Sequence, residues 1–98
     1  MMSRTRFSFV FNQVVRKRRL AKGLSQEALS ELADVDRTYV GLLERGKRSA
    51  GLDVAKRLAI GLETSLSELV AETERAWDTV QPKSPERRIR RRTRGRTP

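Results

Sequence analysis

Apolar positions recur at intervals of three and four residues over most of the first 80 residues, the spacing expected for one face of an α-helix. In "QEALSELA" this stripe consists of Leu29, Leu32 and Ala33, and in "YVGLLE" the inward positions include Val40 and Leu43. Alternation typical of a β-strand occurs at most in "RFSFVF", near the start of the chain. The pattern therefore predicts an all-α fold.

Residues that cap or end helices divide this pattern into five helices. The first is predicted over residues 12–22, ending before Gly23, and the second and third follow the caps Ser25 and Asp36. Gly46 ends the third helix. The fourth helix spans about residues 52–62 and buries Val54 or Ala55, together with Leu58, Ala59 and Leu62. The fifth opens with a capping box, Ser65 and Glu68, and five short helices predict one compact all-α domain.

The composition excludes several classes of protein. The chain has neither cysteine nor histidine, so thiolate metal sites, disulfides and the commonest general base are absent. No glycine-rich phosphate loop or nucleophile elbow is present, and the carboxylates are explained as helix caps and first-turn residues. We therefore expect no enzyme activity, no catalytic residue, no cofactor, no metal and no evident small-molecule ligand. No apolar run is long enough to span a membrane and "FSFVF" lacks a cleavage site, so we expect a cytoplasmic protein.

The net charge of +10 is concentrated at the C-terminal end. Residues 81–98 carry eight Lys or Arg and one Glu, with three prolines among the 18 residues. Such a segment buries too little apolar surface to offset its chain entropy, so we expect a disordered basic tail. It either serves solubility or grips a polyanion such as nucleic acid without regard to sequence.

The second and third helices, joined by a few turn residues, have the spacing of a helix–turn–helix. On a helical wheel, Arg37, Thr38, Gly41, Leu42 and Arg45 lie away from Val40 and Leu43. Arginine is the commonest partner of guanine in the major groove, threonine can contact a base or phosphate, and a glycine permits close approach. This face predicts a helix that binds double-stranded DNA.

The motifs "GLSQE", "DRTYV", "LERGKR", "LDVAKRLAIGL" and "SLSEL" resemble the lambda-repressor/Cro (Xre-type) helix–turn–helix family over roughly residues 14–70. Within that family, "DRTY" followed by "ERG" is similar to the controller proteins of restriction–modification operons. The resemblance implies a five-helix lambda-repressor-like domain and a DNA-binding transcription regulator.

The resemblance also implies roles for individual side chains. Base reading is expected of Arg37, Thr38, Gly41, Leu42 and Arg48, and phosphate binding of Gln26, Tyr39, Lys47 and Ser49. Arg19 and Glu44 match a pair that forms an interior salt bridge, so Glu44 is interpreted as structural. Arg18 stands where relatives usually carry an aliphatic residue, and Asp34 stands where they usually carry glycine.

A long apolar stripe on the fifth helix favours a homodimer. We expect part of the stripe, which includes Leu66, Leu69, Val70 and Trp77, to form the dimer interface, with a roughly palindromic operator. The expected organisation is an N-terminal arm over residues 1–11, a DNA-binding domain over 12–80 and the tail over 81–98. Two alternatives remain: the antitoxin of a toxin–antitoxin pair, and an RNA-associated basic protein.

Overall fold

Five α-helices make up the computed structural model, which describes residues 6–80. The helices are α1 (Phe7–Ala21), α2 (Gln26–Ala33), α3 (Tyr39–Glu44), α4 (Leu52–Gly61) and α5 (Leu66–Val80). Helix α2 packs against α4, α1 packs against α5, and α3 lies against both α1 and α2. Within the described residues the architecture is all-α, as predicted. The expected basic tail over residues 81–98 lies outside them.

Helix α1 begins at Phe7, five residues before the expected start at Asn12. The segment "FSFVF", which suggested at most a β-strand, is helical, and residues 7–11 belong to α1 and not to an extended arm. The physical reason is packing: Val10, Phe11, Val14 and Val15 are buried on one side of a continuous helix. The apolar spacing of three and four residues therefore makes this segment helical, although its aromatic residues alternate locally as in a β-strand.

The core lies where the helices converge and is built from aliphatic side chains. Leu29, Leu43, Leu58 and Leu69 are fully buried, one from each of α2 to α5. The sequence left open whether Val54 or Ala55 of α4 is buried. In the structure Ala55 is buried, whereas Val54 is only partly buried. Leu32, expected in the stripe of α2, is instead 56% exposed, because Leu29 and Ala33 already fill the contact with the rest of the core.

Most turns form at the residues that the sequence indicated, and the exception is the start of α3, where the N-cap is Thr38 and not the expected Asp36. Ser25 Oγ accepts a hydrogen bond from the Ala28 amide (2.9 Å), and Ser65 Oγ accepts one from the Glu68 amide (3.0 Å). Gly23 and Gly46 have φ values of +72° and +77°, the left-handed conformation that ends α1 and α3. Ser25 and Ser65 thus cap the starts of α2 and α5, and Gly23 and Gly46 terminate α1 and α3.

Arg18, the departure from an aliphatic residue, joins α1 to α5. Its Nε donates to Glu72 Oε1 at 2.7 Å, and Lys17 lies 3.7 Å from the other carboxylate oxygen of Glu72. Both Arg18 and Glu72 are partly buried. An ion pair at the edge of the interface thus replaces the apolar contact that this position usually supplies.

The crossing of α2 and α4 leaves no room for a side chain at Gly61, so we expect Gly61→Ala to destabilise the fold. A Cβ at this position would lie 3.0 Å from Leu29 Cδ1 and 3.1 Å from the Ala33 backbone nitrogen. Overpacking of this kind costs about 1–3 kcal/mol, which outweighs the higher helix propensity of alanine. Urea unfolding measures the change.

Gly51→Ser is the control, because nothing lies within 4 Å of a Cβ there and serine is a good N-cap for α4. Equal stability of Gly61→Ala and wild type would contradict the prediction.

Candidate DNA interface

The turn between α2 and α3 is formed by two aspartates. Asp34 ends α2 in the left-handed conformation (φ 59°, ψ 50°), which aspartate tolerates better than most residues. Asp36 Oδ1 accepts hydrogen bonds from the Thr38 amide (2.9 Å) and the Thr38 hydroxyl (2.8 Å). These bonds, with the nearby charge of Arg37, hold the pKa of Asp36 below its ordinary value of 3.8. The contact is therefore present at neutral pH and is lost only as the pH falls below 3.8.

The sequence pattern suggested that Arg37 and Thr38 lie in the first turn of α3. In the structure both residues precede the helix. The helix begins at Tyr39, with Thr38 as its N-cap. Both side chains are exposed, and Arg37 Nη2 lies 3.1 Å from Glu27 Oε2 in the first turn of α2. Because both partners of this pair are largely exposed, it holds Arg37 only weakly and leaves it free to exchange partners.

Gly41 and Leu42 do not form an open surface on α3. Gly41 is buried, and a Cβ there would lie 3.2 Å from Gln26 Oε1 and 3.3 Å from an Arg45 guanidinium nitrogen. We expected Gly41 to contact a base, but in the structure the Gln26 and Arg45 side chains cover this residue. Leu42 is partly buried. A side chain at Gly41 would displace the ends of the flexible Gln26 and Arg45 side chains by a few tenths of an ångström.

A buried carboxylate joins the three helices of this surface. Glu44 receives Arg19 Nε at 2.7 Å and Nη2 at 2.9 Å, a bidentate form of the interior salt bridge that the family resemblance implied. Gln26 Nε2 also donates to Glu44 Oε1 (2.9 Å), and Arg16 Nε lies 3.8 Å from the same oxygen. Arg19 further donates to the Leu24 carbonyl (2.7 Å). The start of α2 is thereby fixed relative to the end of α3.

The loop after α3 carries the remaining candidate contacts and is held at two adjacent residues, Arg48 and Ser49. Tyr39 Oη donates to the Ser49 carbonyl at 3.2 Å while the ring packs against the core. Asn12 Nδ2 of α1 donates to the Arg48 carbonyl at 3.1 Å. The side chains of Lys47, Arg48 and Ser49 are exposed. With Arg37 and Arg45 nearby in the chain, the loop gives this side of the molecule a concentration of positive charge.

The expected dimer residues are divided between core and surface. Leu69 is 0% exposed and belongs to the core, so it offers no surface to a second chain, contrary to expectation. Leu66 and Val70 are partly buried and line an apolar groove of about 350 Å³ with Phe7, Phe11, Leu52 and Ala55. Trp77 is also partly buried and packs edge-on against Phe7, with ring centroids 6.0 Å apart. Leu52, which the sequence analysis did not single out, is 79% exposed at the rim of the groove.

Within residues 6–80 no group of acidic side chains is arranged to hold a metal ion. Over the same residues, none of the helices combines the length and apolarity needed to cross a bilayer.

The Glu44 network gives a prediction about stability. Arg19→Ala leaves a buried carboxylate without its charge partner, which should cost about 3–5 kcal/mol in the free energy of unfolding. Chemical denaturation monitored by circular dichroism measures this loss. Arg18→Ala is the matched control on the same helix, where the partly exposed pair with Glu72 should contribute much less. Similar losses for the two variants would contradict the role assigned to burial.

Comparison with known proteins places these features in a family. The family model described as Helix-turn-helix matches residues 15–69, more than half of the chain. Control protein C.MunI from a Mycoplasma species is 36% identical over 64 residues, which cover 65% of this chain and 86% of C.MunI.

Solved structures agree with this match. The restriction–modification controller protein C.AhdI from Aeromonas hydrophila is 47% identical, with a TM-score of 0.58 over 61% of this chain and 91% of C.AhdI. The clp gene regulator ClgR from Corynebacterium glutamicum shares the fold, with a TM-score of 0.72 at 19% identity over 79% of this chain and 82% of ClgR. The chain belongs to the helix–turn–helix family of DNA-binding transcription regulators, which are not enzymes.

Proposed function

We propose that this protein is a sequence-specific transcription regulator that binds a roughly palindromic operator as a homodimer, with α3 in the major groove. The observation that carries the proposal is the position of Arg37 and Thr38. Both are exposed at the start of α3, and the buried Arg19–Glu44 pair, to which the exposed Gln26 also donates, fixes the helix behind them. A surface that presents donors to base edges from a rigid support suits direct readout.

The contacts divide into base reading and phosphate binding. We assign base reading to Arg37, Thr38 and the exposed Arg48, with Leu42 contributing at most an apolar contact. Phosphate binding is assigned to Gln26 at the N-terminus of α2, where the helix dipole favours an anion, and to Tyr39, Lys47 and Ser49. To donate to a phosphate, the Tyr39 hydroxyl would exchange its bond to the Ser49 carbonyl for one to the DNA.

A second copy of the chain is the proposed occupant of the apolar groove between α1, α4 and α5. The six residues of α3 reach only a few base pairs, so one chain offers a small specific contact, and a two-fold pair doubles it. Leu66 and Val70 of α5 line the groove together with the exposed Phe7 of α1 and Leu52 of α4. An exposed apolar surface with this composition is typical of a protein–protein contact.

The physiological role that we propose is control of gene expression in a restriction–modification system. The support is the similarity to C.MunI and C.AhdI, which are control and controller proteins. Such a regulator acts in the cytoplasm, where the DNA is. Antitoxin and RNA-binding roles are the alternatives.

The direct test is selection of binding sites from a random pool of duplex DNA. We expect an enriched motif with two related halves, and competition with structured RNA should leave the complex intact. A pool without an enriched motif would contradict sequence-specific binding, and an RNA that competes as well as the motif would favour the RNA alternative.

Arg37→Ala should weaken binding to the selected site by about 1–3 kcal/mol and leave binding to random duplex almost unchanged, because base contacts specify and phosphate contacts do not. Fluorescence anisotropy on the two duplexes measures both affinities. Arg75→Ala, which removes an exposed arginine from α5, is the control for the change in net charge. Equal losses on both duplexes would remove Arg37 from base reading.

Leu52→Glu should convert the dimer to a monomer, because it places a charge in the apolar interface. Since Leu52 is largely exposed, the monomer should keep its fold. Sedimentation equilibrium measures the association constant, and circular dichroism checks the fold. Leu20→Glu is the control, an exposed leucine thirteen residues along α1 from Phe7, roughly 20 Å away. A variant at Leu52 that associates like wild type would place the interface elsewhere.

A further inference from the structure

A polar cavity lies between the start of α1 and the loop after α3, and it shares Arg48 and Ser49 with the candidate DNA interface. It has a volume of about 470 Å³. Its polar lining consists of two arginines, two serines and an asparagine: Arg6, Ser8, Asn12, Arg48 and Ser49. None of the residues that line it is acidic. Its charge therefore suits an anion.

The N-terminus of α1 opens at this cavity. The helix is fifteen residues long, its N-cap residue Arg6 makes no side-chain capping bond, and its first turn contains no acidic residue. Unbonded amides at the start of a helix carry partial positive charge. Arg6, from the α1 wall of the cavity, and Arg48, from the loop wall, add two full positive charges to its lining. Ser8 Oγ and Ser49 Oγ lie 3.2 Å apart and join the two walls.

Asn12 supplies a second observation, independent of the helix terminus. Its side chain is 2% exposed, and its Nδ2 donates to the Arg48 carbonyl. Its Oδ1 has no hydrogen-bond partner among the described residues. A buried acceptor left in this way is unfavourable by about 1–3 kcal/mol, so it favours any arrangement that brings it a donor. The donors lining the cavity with it are two guanidinium groups and two hydroxyls.

A bound anion would satisfy Asn12 indirectly. A guanidinium has five N–H donors, so one edge can donate to Asn12 Oδ1 while the other edge binds a tetrahedral oxyanion. The anion draws the guanidinium into the cavity, and Asn12 orients it. Hydroxyls and helix amides complete the set of donors that phosphate prefers.

We propose that this cavity binds one phosphate group of the DNA backbone, through Arg6, Ser8 and the N-terminus of α1. This inference rests on the proposed function and extends it. The cavity adjoins the loop that carries Lys47 and Ser49, so the phosphate would belong to the same DNA duplex that α3 reads. Helix α1 then becomes a third DNA-contacting element beside α2 and α3, with Asn12 as a positioning residue.

The test compares Arg6→Ala with wild type and with Arg75→Ala in the full chain. Arg6→Ala should lower affinity about tenfold for the selected site and for random duplex alike, since a phosphate contact carries no sequence information. It should also reduce the slope of log K against log salt by about 0.9. Arg6→Lys, which retains the charge, should restore the slope. Sedimentation confirms that the oligomeric state is unchanged.

Titration with inorganic phosphate distinguishes the possible sources of the anion. In the wild type, amide chemical shifts of Ser8 and Phe9 should move on addition of operator duplex. Shifts with inorganic phosphate but none with duplex would make the cavity a site for free phosphate and overturn the proposal. An unchanged salt slope in Arg6→Ala, or the same change in Arg75→Ala, would also overturn it.

Failure of the proposed function would look different. In that case the wild type itself would show no preferred duplex sequence. If only the phosphate site is wrong, the wild type keeps its sequence preference, and Arg6→Ala binds DNA with the same affinity and salt slope as the wild type.

Discussion

The DNA-facing surface depends on one buried ion pair, between Glu44 and Arg19. The carboxylate lies at the end of α3, the guanidinium comes from α1, and Gln26 at the start of α2 donates to the same carboxylate. Three helices thus share one buried charge centre. A buried ion pair adds little net stability compared with apolar packing, but it requires one relative arrangement of its partners. In this protein that arrangement sets the distance between Gln26, the proposed phosphate contact, and Arg37 and Thr38, the proposed base contacts.

Around this centre the polar side chains of the surface restrain one another in the free protein. Arg37 is paired with Glu27, Thr38 with Asp36, and Tyr39 with the Ser49 carbonyl. These exposed bonds are weak singly, so in the proposed complex they can be exchanged for bonds to DNA at little cost. The buried bonds behind them are retained. The structure therefore separates a permanent support from a set of replaceable contacts.

Much of the fold follows from the sequence because local signals and tertiary packing agree. Gly23, Ser25, Ser65 and Gly46 form the predicted caps, and the motifs of the family gave the Arg19–Glu44 pair. The start of α1 was missed because "FSFVF" reads as alternation over five residues, whereas its helical spacing appears only when Val14 and Val15 are included.

Several details of the surface could not be predicted from the sequence, because they depend on contacts between side chains that helical periodicity does not describe. The helical wheel placed Gly41 on the outer face, but Gln26 from another helix and Arg45 one turn later cover it. Leu69 and Val70 belong to one stripe, and only the packing of α5 against the core decides that Leu69 is buried. Arg6 and Ser8 gave no signal, since their proximity to the loop after α3 arises from tertiary structure.

Tyr39 donates to the Ser49 carbonyl and so links α3, the proposed reading helix, to the loop that is proposed to follow the DNA backbone, and the Asn12 bond holds that loop against α1. Because these bonds fix α1, α3 and the loop relative to one another, the protein can change its shape only slightly to fit a duplex of different geometry. The duplex itself must then bend or change its groove width, at an energy that varies with base steps the protein does not touch. Operator choice would accordingly depend on the flexibility of uncontacted DNA as well as on the bases that Arg37 meets.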